Sequence, residues 1–102
     1  MKNIVWTAFV TTPKNVEFGE NISTYKVILI EICNNDGTQR LSRLFMPISH
    51  IDSTKTYLFH AYATSGFNGV ARVVINSNKT ACSVSAYEMN GWENMFLAVY
   101  VG

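Results

Sequence analysis

Two histidines, two cysteines and seven carboxylates carry whatever catalytic or metal-binding chemistry this 102-residue chain could hold. A metal centre usually takes three or four ligands in a fixed geometry. His50, with Asp52 as a local partner, falls short of that number, and so does His60, set beside Phe59 and Ala61 in an apolar run. Both are read as structural histidines. The carboxylates Glu17, Glu20, Glu31, Asp36, Asp52, Glu88 and Glu93 could include a glycosidase-type acid and base, but nothing in their spacing selects a pair. Glu88 and Glu93 flank Met89-Asn90-Gly91-Trp92, where solvated loop charges are the simpler reading. No GxSxG turn, phosphate-binding loop or Cys-His nucleophile pattern is present. The expectation is a protein that is not an enzyme and uses no metal and no cofactor.

Binding chemistry is better represented. Asn90, Trp92 and Glu93 set an indole between amides and a carboxylate, a grouping that can stack on a sugar face while hydrogen-bonding its hydroxyls. The competing reading has Trp92 folding back to cap the end of the domain. Phe67 and Asn68 form a second aromatic and amide pair at a turn tip, where burial against a neighbouring loop or subunit competes with ligand contact. Trp6 lies in an apolar run and is read as core.

Length and composition limit the classes of function. A chain of this size forms one domain, 1–102, and buries roughly 60 to 65% of its unfolded surface. With 48% hydrophobic and 15% charged residues it is a folded globule rather than a disordered segment. A net charge of +1, with the basic residues scattered, removes the electrostatic case for nucleic acid. The N-terminal MKNIVWTAFVTTP, interrupted by Thr7 and Pro13, makes a poor signal peptide and reads as a strand. No membrane insertion is expected. Cys33 and Cys82 lie in apolar strands, so buried free thiols and a reducing folding compartment follow. Asn21-Ile22-Ser23 and Asn78-Lys79-Thr80 fit the glycosylation pattern but are more simply turn residues.

Nearly every segment has strand chemistry, with β-branched or aromatic runs separated by Gly, Asn, Asp, Ser or Pro. Strands are predicted at Ile4 to Val10, Asn15 to Phe18, Thr24 to Cys33, Thr38 to Met46, Lys55 to Ala63, Gly69 to Asn76, Ala81 to Glu88 and Asn94 to Val101. Only Glu88 to Asn94 leaves room for a helical turn, and Gly91 opposes it. Asn34-Asn35-Asp36-Gly37 is a hairpin signal, and Lys55 to Glu88 reads as a three-stranded meander. About eight short strands in one domain imply an all-β, antiparallel β-sandwich of jelly-roll-like form.

The first hairpin adds an expectation about assembly. With Asp36 and Gly37 at the centre of the turn, Ile32 pairs with Leu41, Leu29 with Leu44, Ile28 with Phe45 and Val27 with Met46. Ile28, Ile30 and Ile32 then share a face with Leu41 and Phe45. Tyr25, Val27 and Leu29 share the other with Leu44, Met46 and Ile48. A sandwich covers only one of these faces, so Tyr25, Val27, Leu29, Leu44 and Met46 are candidates for an assembly face.

Ile4-Val5-Trp6-Thr7, the strand from Ser23 to Ile30, the Arg40 to Pro47 strand and the closing Leu97-Ala98-Val99-Tyr100-Val101-Gly102 together span nearly the whole chain. In these features it resembles small β-sandwich domains at the C-terminal ends of bacteriophage and prophage structural proteins, such as head fibres, tail fibres and baseplate receptor-binding proteins. The resemblance implies a virion protein assembled in the bacterial host cytoplasm. It further implies a homo-oligomer, usually a trimer, whose loops touch host surface carbohydrate or other virion proteins. An alternative is a small phage or bacterial inhibitor that binds a host protein through a sheet edge. A third is a minor hydrolase or lyase using Glu88, Glu93 or His50.

Overall fold

A computed structural model describes all residues from Met1 to Gly102. Eight strands alternate with turns: β1 (Lys2–Phe9), β2 (Lys14–Glu17), β3 (Val27–Cys33), β4 (Arg40–Pro47), β5 (Tyr57–Thr64), β6 (Phe67–Ile75), β7 (Ala81–Asn90) and β8 (Met95–Val101). Short 3-10 turns occupy Ile22–Thr24 and Ile48–His50. All eight predicted strands are present, and Glu88 to Asn94 holds no helical turn. No helix is long and apolar enough to cross a membrane.

The strands form two antiparallel four-stranded sheets, in the orders β1-β8-β3-β4 and β2-β7-β6-β5. This is a sandwich, in which β1 and β2 pass to opposite sheets and are met there by β8 and β7. The β3-β4 hairpin and the expected β5-β6-β7 meander each stay within one sheet.

Alternation along the strands supplies the core. Val5 and Phe9 from β1, Ile28, Ile30 and Ile32 from β3, and Met95, Leu97, Val99 and Val101 from β8 meet Phe59, Ala61, Ala71, Val73, Ile75, Cys82, Val84 and Ala86 of the second sheet. β8 has partners on both sides, pairing with β1 through Trp6 opposite Ala98 and with β3 through Ile30 opposite Val99. Cys33 and Cys82 are free and buried. Burial pushes the Cys82 thiol up to about 12, so it stays protonated at neutral pH.

The β3-β4 register differs from the expected one, and the cause is local. Near the turn the ladder follows expectation: the Asn34 N–H donates to the Gln39 carbonyl and Cys33 opposes Arg40. Between Ile32 and Cys33 the register then shifts, so that Ile32 opposes Ser42 and Leu41 is the extra residue of a β-bulge. Beyond it Leu29 pairs with Phe45, Ile28 with Met46 and Val27 with Pro47. Leu44 and Met46 therefore face inward and pack on the core, as Leu41 and Tyr25 also do, whereas Phe45 points out and is 61% exposed. Of the expected assembly face only Val27 and Leu29 lie on the outer side, both half-buried.

The two registers predict opposite mutational costs. In urea denaturation Leu44→Ala should cost about 1 to 2 kcal/mol, a part of the full penalty for a buried leucine. Phe45→Ala should stay within about 0.5 kcal/mol. A larger loss at Phe45 than at Leu44 would rule the bulged register out.

Candidate functional site

The loops that join β5 to β6 and β7 to β8 meet at one end of the sandwich. Asn68 and Asn90 oppose each other in the β6-β7 ladder. Gly91 has φ +83, and a Cβ there would run into the Gly66 carbonyl and come within 2.8 Å of the Phe67 ring, so only glycine lets the loops approach this closely. Phe67, Asn68 and Asn90 are thereby brought together at the surface, with Glu93 exposed nearby. Trp92 sits differently. Only 8% of it is exposed, and it belongs to the core cluster. The ring caps the end of the sandwich, which leaves Phe67 as the exposed aromatic of this loop pair.

The outer face of the first sheet holds a denser constellation. Glu31 points outward from β3, opposite Arg43 on one side and Ala98 on the other. It is 5% exposed, a rare position for a carboxylate unless it is paired. The Arg43 guanidinium lies 2.6 Å from one of its oxygens and the Arg40 guanidinium 3.6 Å from the other. Arg40 extends over the Trp6 ring, 5.2 Å from its centroid, and reaches the Tyr100 hydroxyl at 3.4 Å. Trp6 in turn stacks on Phe96, with centroids 5.2 Å apart and an interplanar angle of 21°.

The hairpin turn completes this arrangement. Gly37 has φ +76, and a Cβ there would stand 2.6 Å from Cζ2 of Trp6. The turn is held by Asn34, whose Oδ1 accepts from the Gln39 N–H, and by Asp36, whose Oδ1 accepts from the backbone and hydroxyl of Thr38. Those donors hold the Asp36 carboxyl below its usual range. Burial pushes up the thiol of Cys33, which opposes Phe96 on the same face.

Trp6 is thus not a core residue. Its neighbours Val5 and Phe9 point inward, while the indole lies outward and 46% exposed. The sequence did carry a signal for this face: Glu31 is the one charge in an otherwise apolar strand, and Arg40 and Arg43 follow it across a hairpin. A uniform register hides the match, because it sets Glu31 opposite Ser42.

The histidines stay apart from these groups. Asp52 Oδ1 accepts from the backbone and hydroxyl of Thr54, which holds its carboxyl low and ties it into a turn rather than to His50. His60 is exposed on the outer face of the second sheet. No three or more His, Cys, Asp or Glu side chains gather as metal ligands.

One open depression, of about 450 Å³, lies at the end of the sandwich opposite the Phe67 and Asn90 loops. It is lined by Ser23, Tyr25, Lys26, Ile48, Ser49 and Lys79, which come from three separate connections. No protein-family model, curated protein or solved structure matches the chain.

The Glu31 network yields a stability test. Glu31→Ala leaves two guanidiniums without their carboxylate, but Arg43 can turn to solvent. The expected loss is about 1 to 3 kcal/mol in urea denaturation, the range for a hydrogen bond to a charged group. A loss under about 0.3 kcal/mol would show that the pair contributes nothing.

Proposed function

We propose that this chain is a non-enzymatic assembly and receptor-binding module of a bacteriophage virion, a homotrimer that contacts host surface carbohydrate through its loops. The observation that carries the reading is the outer face of the first sheet. Trp6 and Phe45 stand exposed on its two edge strands, on either side of a braced Glu31, Arg40 and Arg43 centre. Aromatic and arginine side chains are the residues most enriched where proteins associate. The indole is already held between Phe96 and Arg40, so little side-chain entropy remains to be lost on contact. The resemblance to virion domains over nearly the whole chain supplies the class, and the all-β sandwich agrees with it.

Light scattering at micromolar concentration tests the assembly. The chain is expected to be a trimer, and the double variant Trp6→Ser with Phe45→Ser to lower the mass while keeping the fold. A wild-type monomer would sink the assembly reading. On the carbohydrate side, Phe67 takes the stacking role that the buried Trp92 cannot.

A second reading, the inhibitor that works through a sheet edge, is favoured by one feature of β5. An edge strand is usually blunted by Lys, Pro, bulges or brevity. β1 carries Lys2 and a bulge at Ile4, β2 has four residues, and β4 carries Arg40, Arg43 and Pro47. β5, with the sequence YLFHAYAT, has no Lys, Arg or Pro, and its one irregularity, at Ala63, lies at the turn end and leaves Tyr57 to Tyr62 in regular register. On this reading the chain is a stable monomer, and a host partner slows amide exchange along Tyr57–Thr64. Protection elsewhere, with β5 exchanging freely, would exclude the edge.

A further inference from the structure

We propose that the depression lined by Lys26 and Lys79 is a binding site for a small hydroxylated anion, a monosaccharide-sized polyol carrying a carboxylate or a phosphate. The inference adds to the carbohydrate part of the reading above a second site, at the end of the sandwich opposite Phe67, and rests on that reading for the ligand's setting on a cell surface, though not for its chemistry.

The site's charge is uncompensated. The ion pairs of the molecule use Lys2, Arg40 and Arg43, and neither Lys26 nor Lys79 has a carboxylate within pairing distance. Glu20 touches the lining through the Tyr25 hydroxyl, from which it accepts at 2.6 Å. It is already neutralised by Lys2 at 2.7 Å. Two lysines on one concavity with no carboxylate to pair with leave it a positive field that an anion can neutralise.

The walls are held by main-chain bonds between the segments that form them. The Ile48 N–H donates to the Lys26 carbonyl at 2.8 Å, and the Ile22 N–H to the Lys79 carbonyl at 2.9 Å. Lys79 itself adopts φ 56, a left-handed conformation unusual for lysine and fixed here by its N–H to the Asn76 carbonyl. The turn thus spends conformational strain on a position where asparagine or glycine would sit more easily, and a lysine occupies it.

The remaining lining defines the ligand's other groups. Ser49 offers a hydroxyl, and Ser23, which donates to Asn21 Oδ1, keeps its oxygen lone pairs as acceptors. Tyr25 and Ile48 supply the apolar contribution, suited to the C–H face of a ring. A volume of about 450 Å³ lies within the range of small-molecule sites. Charge, hydroxyl partners and one apolar face together describe a uronic acid or a sugar phosphate better than a bare anion or a neutral sugar.

The test is titration of isotope-labelled full-length protein with glucuronic acid, glucose 6-phosphate and glucose, read by amide chemical shifts. Shifts at Ser23 to Lys26, Ile48, Ser49 and Lys79 with either or both acids, and not with glucose, are expected. The acid that responds identifies the charged group. Added salt should weaken the binding. Lys26→Gln and Lys79→Asn should each weaken it about tenfold, the scale of one charge-assisted hydrogen bond. Asparagine tolerates the left-handed backbone, so the second variant removes the charge without new strain.

Equal response to glucose, shifts located elsewhere, or unchanged affinity in both variants would overturn the proposal. Those outcomes leave the assembly reading standing if the chain is a trimer. Acid-sugar binding by a stable monomer would keep the site and remove the assembly.

Discussion

One extra residue in β4, Leu41, sets the chemistry of both faces of the first sheet. Because strand side chains alternate with a period of two, a shift of one residue exchanges every side chain beyond it between core and solvent. The bulge turns Leu44 and Met46 onto Ile30 and Ile28, and it places Arg43 opposite Glu31. Without it Phe45 would enter the core, Leu44 and Met46 would face water, and Glu31 would stand buried opposite a serine. The bulge satisfies two demands at once: apolar surface is covered, and a carboxylate that strand geometry buries finds its cations.

The rest of the first sheet closes around β8. Flanked by β1 and β3, this strand gives Leu97, Val99 and Val101 to the core and sets Phe96, Ala98 and Tyr100 on the outer face. Ala98, small and fully buried, lies between Trp6 and Glu31 in the ladder and leaves room for the groups on either side of it. Phe96 and Tyr100 flank it along the strand as the partners of Trp6 and Arg40. The outer constellation is thus built from three segments far apart in sequence and exists only once the last strand has been inserted.

That origin explains what could be read in the sequence. Strand positions and turns were legible, because β-branched runs and the Asn, Asp and Gly clusters act locally. The Asn34 to Gly37 turn even fixed the register correctly as far as Cys33 and Arg40. The bulge was not legible, since Ile32, Leu29, Ile28 and Val27 all met apolar partners in the uniform register and only the pairing requirement of Glu31, set there opposite Ser42, argued against it. The loop partners Phe67, Asn68 and Asn90 were legible as turn residues, and their meeting follows from the meander. The lysines of the depression were not, because β2-β3, β4-β5 and β6-β7 connections converge there through the sandwich as a whole.

The two indoles show how far position on a pleat outweighs local hydrophobicity. Trp6 sits in an apolar run, yet Val5 and Phe9 take the inward positions of β1, and the bulk of the indole falls on the outside. Trp92 sits among amides and a carboxylate, yet the glycine before it turns the chain so that its ring closes the end of the core. A buried tryptophan in a loop rigidifies that loop, and an exposed one on a strand is held by the sheet beneath it. The loops at one pole are therefore stiffened by an aromatic that is unavailable for contact. Beside Phe67, the aromatic surface open to contact lies on the flat of the sheet, where Phe96 and Arg40 fix the Trp6 ring in advance and the cost of ordering it is already met in the folded chain.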